Sequence, residues 1–181
     1  MKKTILFLSF LAATGAVVTA QSVTTTSAVI AFDATTPKDG LPKADNKAVI
    51  AALNKTTGTV QFEAAVNNFA FSNPMMQDHF NGDKWLNSAA HPKFTFSGKI
   101  DKLSEVKFNN NGSYDVTISG NLTIKGITKA LSGIPAKIVV KDGAVSAMSS
   151  FSDKLADYGI TGQPIEAGKV DRDPRITVSV N

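Results

Sequence analysis

The chain is 181 residues long, contains no cysteine, and carries 19 basic against 15 acidic residues for a formal charge of +4. The missing cysteine excludes disulfides, thiol nucleophiles and a lipid-modified cysteine anchor, so the fold must be held by its core alone. Setting Lys2 and Lys3 aside as part of a leader takes the 19 basic residues to 17 and the net charge to +2, which is no nucleic-acid footprint.

Residues 1–20 read as a secretory signal peptide. Lys2-Lys3 form its basic start, Thr4 to Leu11 its apolar stretch, and Val18-Thr19-Ala20 its small-residue cleavage site. The apolar stretch is too short to span a bilayer. A cut after Ala20 is expected, leaving 21–181 as one domain in a periplasmic or secreted setting. About 160 residues suffice for a single core.

From Val23 the apolar pattern has period two. Ala28, Ile30 and Phe32 alternate in a first strand, and Lys38-Asp39-Gly40 with Leu41-Pro42-Lys43 marks a polar loop. Lys47 to Leu53 fits either a short helix or the approach to a strand. Val60, Phe62, Ala64 and Val66 alternate with polar or small neighbours. Phe69 and Phe71 then precede Asn73-Pro74, a capping residue followed by a proline that needs no donor at the first helical position. A short helix is expected near Pro74–Phe80, with Asn81-Gly82 as its stop.

His91-Pro92 opens Phe94-Thr95-Phe96-Ser97-Gly98-Lys99-Ile100, one face of a half-buried strand. A polar stretch follows, ending in Asn109-Asn110-Asn111-Gly112. Tyr114, Val116, Ile118, Gly120, Leu122 and Ile124 then share one long face, which Gly126 interrupts. Ile134, Ala136, Ile138 and Val140 alternate up to Lys141-Asp142-Gly143, a hairpin turn. Ala147, Ser149 and Phe151 share the next face, and Ile176, Val178 and Val180 form the last strand. Hairpins at this spacing imply an antiparallel sandwich or barrel, and composition does not choose between them.

Several motifs, in order, resemble the YceI-like family of lipocalin-like lipid-binding barrels. They are Asp78-His79-Phe80, Trp85-Leu86, His91-Pro92-Lys93-Phe94-Thr95-Phe96, Leu122 to Lys129, and Asp157-Tyr158-Gly159-Ile160. The resemblance spans roughly Thr57 to Val180. Two positions depart from the pattern. Ala130 stands where proline is usual, and Leu155 where an arginine often precedes the Asp-aromatic-Gly pair, so any head-group contact by that arginine is not carried over. The resemblance implies an all-β fold: a single closed antiparallel up-and-down barrel of about eight strands, with the Pro74 helix near one end.

An eight-stranded barrel either fills itself or holds one small ligand. The shared apolar phase places Phe62, Phe94, Phe96, Val116, Ile118, Ile138 and Phe151 inward, with Gly120 leaving room beside them. These are the expected cavity residues, and Asp78, His79, Trp85 and Tyr158 are the family-motif residues expected at the mouth. The implied ligand is an apolar lipid of polyisoprenoid or fatty-acyl type, carried without a cofactor.

Other chemistries lack their parts. Two histidines, His79 and His91, do not make a zinc site, even with Asp78 and Asp83 near the first. There is no Gly-x-Ser-x-Gly elbow for a hydrolase, and Asp171 and Asp173 flank Arg172 in a polar turn rather than a cleft. The expectation is therefore not an enzyme. The glycines sit in hairpins and strands, not in a phosphate loop, so no nucleotide or nucleic acid is expected. The lysines occupy outward strand positions, consistent with at most peripheral membrane contact. The competing expectation is a filled, ligand-free structural or stress-response barrel that acts through partner contacts.

Overall fold

A computed structural model of the chain describes residues 22–181; the expected leader and its cut after Ala20 lie outside the described residues. Nine strands are present among them: β1 (Ser22–Asp33), β2 (Lys43–Asn54), β3 (Thr59–Ala65), β4 (Ala70–Phe71), β5 (Lys93–Ile100), β6 (Gly112–Ile124), β7 (Ile127–Lys141), β8 (Ala144–Ser152) and β9 (Arg175–Val180). All but β4 pair antiparallel with their neighbours in chain order, and β9 returns to β1 with Val29 opposite Ser179 and Asp33 opposite Arg175. The sheet therefore closes into an eight-stranded up-and-down barrel. The two residues of β4 lie along the start of β2, with Ala44 opposite Phe71. Two short helices, α1 (Pro74–Asn81) and α2 (Gln163–Glu166), lie in the connections.

Local chemistry sets the hairpins. Lys125 and Gly126 have φ of 51° and 75°, and Asp142 and Gly143 have φ of 50° and 82°. Left-handed backbone at both central residues makes a two-residue turn whose twist matches that of the flanking strands. Lys47 to Leu53, which the sequence leaves open, is strand and belongs to β2. At the same level Asn46 is fully buried but satisfied. Its Nδ2 donates to the Ala65 carbonyl at 2.9 Å, and its Oδ1 accepts from the Ala48 amide at 3.0 Å. It links β2 to the end of β3 beyond their last ladder pair, Ile50 and Glu63.

In β7 a bulge at Gly133 (φ 66°) moves the pairing from Ile118–Ile134 to Gly120–Leu131. The extra residue changes the phase of the strand, so Leu131 and Ile134 lie on the same face.

The up-and-down order sorts the connections by end. The long ones, residues 34–42, 66–92 and 153–174, all fall at one end of the barrel together with the tight β6–β7 turn. The opposite end carries two tight turns and residues 101–111. That last stretch, which reads as polar in sequence, folds beneath the barrel. Leu103, Val106 and Phe108 pack there against Ile100, Val116, Ile138 and Val140, and the Tyr114 hydroxyl donates to the carbonyls of Lys107 (3.1 Å) and Asn110 (3.3 Å). One end is thus closed by its own side chains. The core at the other end surrounds a space.

Candidate functional site: an apolar chamber and its vestibule

The α1 segment forms the roof of the open end. Asn73 caps it, its Oδ1 accepting from the Met75 amide at 2.9 Å, and Pro74 occupies the first turn. The Gln77 Oε1 accepts from the Phe71 amide at 3.1 Å and ties the helix to β4. The helix ends at Asn81, as the sequence indicates. Gly82 is not left-handed, however: its φ is −64°. The stop comes instead from Asn81, whose Nδ2 donates to the Gln77 carbonyl, and from the Leu86 amide, which donates back to the Phe80 carbonyl.

This anchoring drives Phe80 into the barrel mouth. Its ring lies 4.8 Å from Phe71, 5.6 Å from Phe69 and 5.8 Å from Phe32 (centroid distances), and Phe69 lies 5.6 Å from Phe94. Tilted aromatic pairs of this kind contribute about 0.5–1.5 kcal/mol each beyond the area they bury.

Beneath the aromatic cluster is a cavity of about 160 Å³. Phe62, Phe94, Phe96, Ile118 and Phe151 line it, together with Leu122, Ile124, Ile176 and Val178. Its wall is almost entirely hydrocarbon. Three of the residues expected on the wall are placed otherwise. Val116 and Ile138 face inward, but at the closed end, where the 101–111 segment packs over them. Gly120 pairs with Gly98, and the Phe96 ring lies over both. A Cβ on Gly120 would sit 2.5 Å from the Gly98 Cα and 2.7 Å from Phe96 Cζ. The glycine pair is therefore a slot for an aromatic ring, not open room for a ligand.

The motif residues divide between two levels. Tyr158 is buried against the inner cavity instead of sitting at the mouth, and its hydroxyl donates to Asp153 Oδ2 at 2.5 Å. Burial, and then that bond to a carboxylate, push its ionisation well above the usual tyrosine range. Leu155 is buried and completes the apolar wall. Asp78 is exposed on the outer face of α1. His91 lies at the rim against the β6–β7 turn, its ring beside Gly126.

His79 and Trp85 belong to a second cavity of about 230 Å³ outside the first. Phe32, Phe80 and Trp85 border both spaces, so the two lie in series across an aromatic partition. The vestibule also takes Asp39, Pro42, Phe71, Met76, Pro164, Lys169 and Val170. Sequence reading missed its loop residues, because a loop has no period to betray an inward side chain. Pro42 and Val170, apolar residues within polar stretches, were the available signal. Among the described residues, no three His or carboxylate side chains converge to hold a metal ion.

Comparison with known proteins agrees with this architecture. A family model described as the YceI-like domain matches residues 11–181. Among solved structures, a polyisoprenoid binding domain from Saccharophagus degradans, implicated in plant cell wall breakdown, superposes with a TM-score of 0.72 at 12% identity, covering 88% of this chain and 96% of that one. Burkholderia cenocepacia BcnA gives 0.67 at 18% identity, covering 84% and 94%. The Campylobacter jejuni YCEI protein gives 0.52 at 15% identity, covering 100% and 98%. No match is found among curated proteins.

Proposed function

The chain belongs to the YceI-like domain family, and on that premise we propose that it binds the hydrocarbon tail of a lipid, polyisoprenoid or fatty-acyl, inside the barrel. The observation that carries this reading is the inner cavity. An apolar space of about 160 Å³ offers water none of the two to four polar partners it needs, and an apolar cavity of similar size, about 150 Å³, stays dry and takes up small hydrocarbons. An empty cavity costs about 24 cal/mol per Å³, on the order of 4 kcal/mol here. A tail that fills the space recovers that cost and adds roughly 0.8 kcal/mol for each methylene withdrawn from water. The polyisoprenoid-binding domain among the structural neighbours supports the same ligand class. No side chain need form a bond to the ligand, so the role is binding without catalysis. The leader-like first twenty residues support a periplasmic or secreted carrier.

The test is organic extraction of protein purified from the exported fraction, followed by mass spectrometry, with intact mass read on the same sample. A stoichiometric lipid and a mature start at Gln21 are expected. A lipid-free barrel that also refuses added prenol and fatty-acyl ligands would favour the filled, partner-binding alternative. A chain retaining residues 1–20 would remove the periplasmic assignment.

A further inference from the structure

The inner cavity and the vestibule differ in one respect that bears on ligand choice: the inner wall is long and almost entirely hydrocarbon, with Asp153 and Lys154 its only charged residues, whereas Asp39, His79 and Lys169 border the smaller apolar lining of the vestibule. In the inner cavity the Tyr158 and Ser149 hydroxyls and the Asp153 carboxylate are already engaged, and Lys154 is exposed to solvent. The Tyr158 hydroxyl donates to Asp153, whose other oxygen accepts from the Lys154 amide at 2.9 Å, and the Ser149 hydroxyl donates to the Pro135 carbonyl at 2.7 Å. A polar head group therefore finds few partners beside the tail, and burying it unpaired is costly.

The vestibule supplies what the cavity lacks. Asp39 is held in place before any ligand arrives: its amide and carbonyl bridge to Thr36, and its Oδ1 accepts from the Leu41 amide at 2.9 Å. Its Oδ2 has no hydrogen-bond partner among the described residues. Lys169 borders the same space from the 167–171 segment. That segment is fastened to the 34–42 loop by the Thr36 hydroxyl on the Gly168 carbonyl (2.9 Å) and the Lys38 ammonium on the Ala167 carbonyl (3.0 Å). The ion pairs among the described residues are Lys93–Glu63, Lys102–Glu105 and Lys137–Asp115, so Asp39 and Lys169 neutralise neither each other nor another side chain. His79, exposed on α1, borders the same space, as do the rings of Trp85 and Phe71.

We propose that the vestibule is a head-group site for a zwitterionic amphiphile, a lipid whose head carries a phosphate and an ammonium together. The inference rests on the tail-binding reading above. The ammonium lies against the Asp39 carboxylate and the aromatic faces, an arrangement suited to a quaternary or primary amine. The phosphate takes Lys169 and the His79 imidazole. A head of one charge gains one partner and meets the like charge of the other, so discrimination comes from repulsion as much as attraction.

The protein's single tryptophan, Trp85, borders both spaces and reports occupancy by its fluorescence. Dodecylphosphocholine, dodecyl phosphate and dodecyltrimethylammonium share one tail and are titrated below their micelle concentrations. The zwitterion is expected to bind at least about tenfold tighter than either singly charged probe, in line with a loss of one charge-assisted contact of about 1.4 kcal/mol. Asp39→Asn should bring dodecyl phosphate up toward the zwitterion and weaken the trimethylammonium probe. Lys169→Gln should do the reverse. Three probes that bind within twofold of one another, or a ranking that neither substitution moves, would overturn the head-group assignment while leaving tail binding intact. If no probe binds at all, the tail-binding reading fails and the head-group assignment falls with it.

Discussion

Replacing Gly120 with alanine adds one carbon atom, and the structure gives that atom nowhere to go. The new Cβ would stand 2.5 Å from both the Gly98 Cα and the Ser97 carbonyl oxygen, and 2.7 Å from Phe96 Cζ. Ordinary carbon contacts lie at about 3.5–4.0 Å, so the overlap is roughly 1 Å, and two of the three atoms are backbone that cannot rotate aside. β5 and β6 would have to part locally from the usual strand spacing of about 4.8 Å. Losing two ladder hydrogen bonds at about 1 kcal/mol each, with overpacking of about 1–3 kcal/mol, gives a total of about 3–5 kcal/mol. At roughly 2–4 °C per kcal/mol for a domain of this size, the melting temperature should fall by about 6–20 °C. Thermal unfolding followed by circular dichroism measures it. Gly40→Ala is the control, since nothing lies within 4 Å of its added Cβ, and it should change stability by no more than about 0.5 kcal/mol. Phe96→Ala in the same chain removes the ring contact but not the backbone ones, so the double variant should be less stable than either single one. A Gly120→Ala protein melting within 2 °C of the parent would refute the glycine slot, and one rescued by Phe96→Ala would refute the backbone share of the clash.

Filling the cavity calls for another position. Ala147 borders it from β8, and Ala147→Leu should lower the lipid recovered by extraction several-fold while the lipid-free melting temperature holds or rises, because the added carbons occupy ligand space at up to about 0.8 kcal/mol per methylene. A drop of more than 5 °C in the lipid-free form would show that this wall has no room behind it. Tyr158→Phe leaves Asp153 Oδ2 without its donor and should cost about 1.5–3 kcal/mol at neutral pH by urea titration; an unchanged midpoint would refute that bond's role. The tyrosine of the unfolded chain ionises near pH 10.0 while the buried one stays neutral. The stability it contributes is therefore complete below that pH and declines as the pH rises past it. Tyr158→Phe should flatten the alkaline decline, and an equally steep decline would assign it to another group.

Strand faces were legible because alternation of apolar and polar residues is a property of the pleat itself. Phe62, Phe94, Phe96, Ile118 and Phe151 point as their phase requires. Depth along the barrel axis was not legible. Val116 and Ile138 have the same phase as Ile118, yet they end up at the closed end because Leu103, Val106 and Phe108 fold across it, and nothing in a polar stretch announces that. Gly120 shows the same limit differently: period two assigns its face but not the ring of Phe96 above it. The strand character of Lys47 to Leu53 stayed open because its alanines serve either element, and pairing with β1 and β3 on both sides decides it. The vestibule depends on three connections meeting at one end, which is a consequence of topology that no local window contains.

The seam between β1 and β9 has a consequence for how the molecule forms. β4 aside, every other pairing joins successive barrel strands and can arise as the chain lengthens, one strand after another. The seam joins Val29 to Ser179, roughly 150 residues away, and cannot form until the last strand exists. Bringing such distant segments together is entropically costly and slow. A sheet paired everywhere but at the seam would be an open curved ribbon with two raw edges, its apolar face accessible from the side as well as through the roof. A lipid present at that moment can be wrapped, with no need to be threaded past Phe32, Phe80 and Trp85. Refolding in the presence of lipid and loading of the finished barrel would then follow different time courses, the first set by the rate of seam formation and the second by the opening of the aromatic partition.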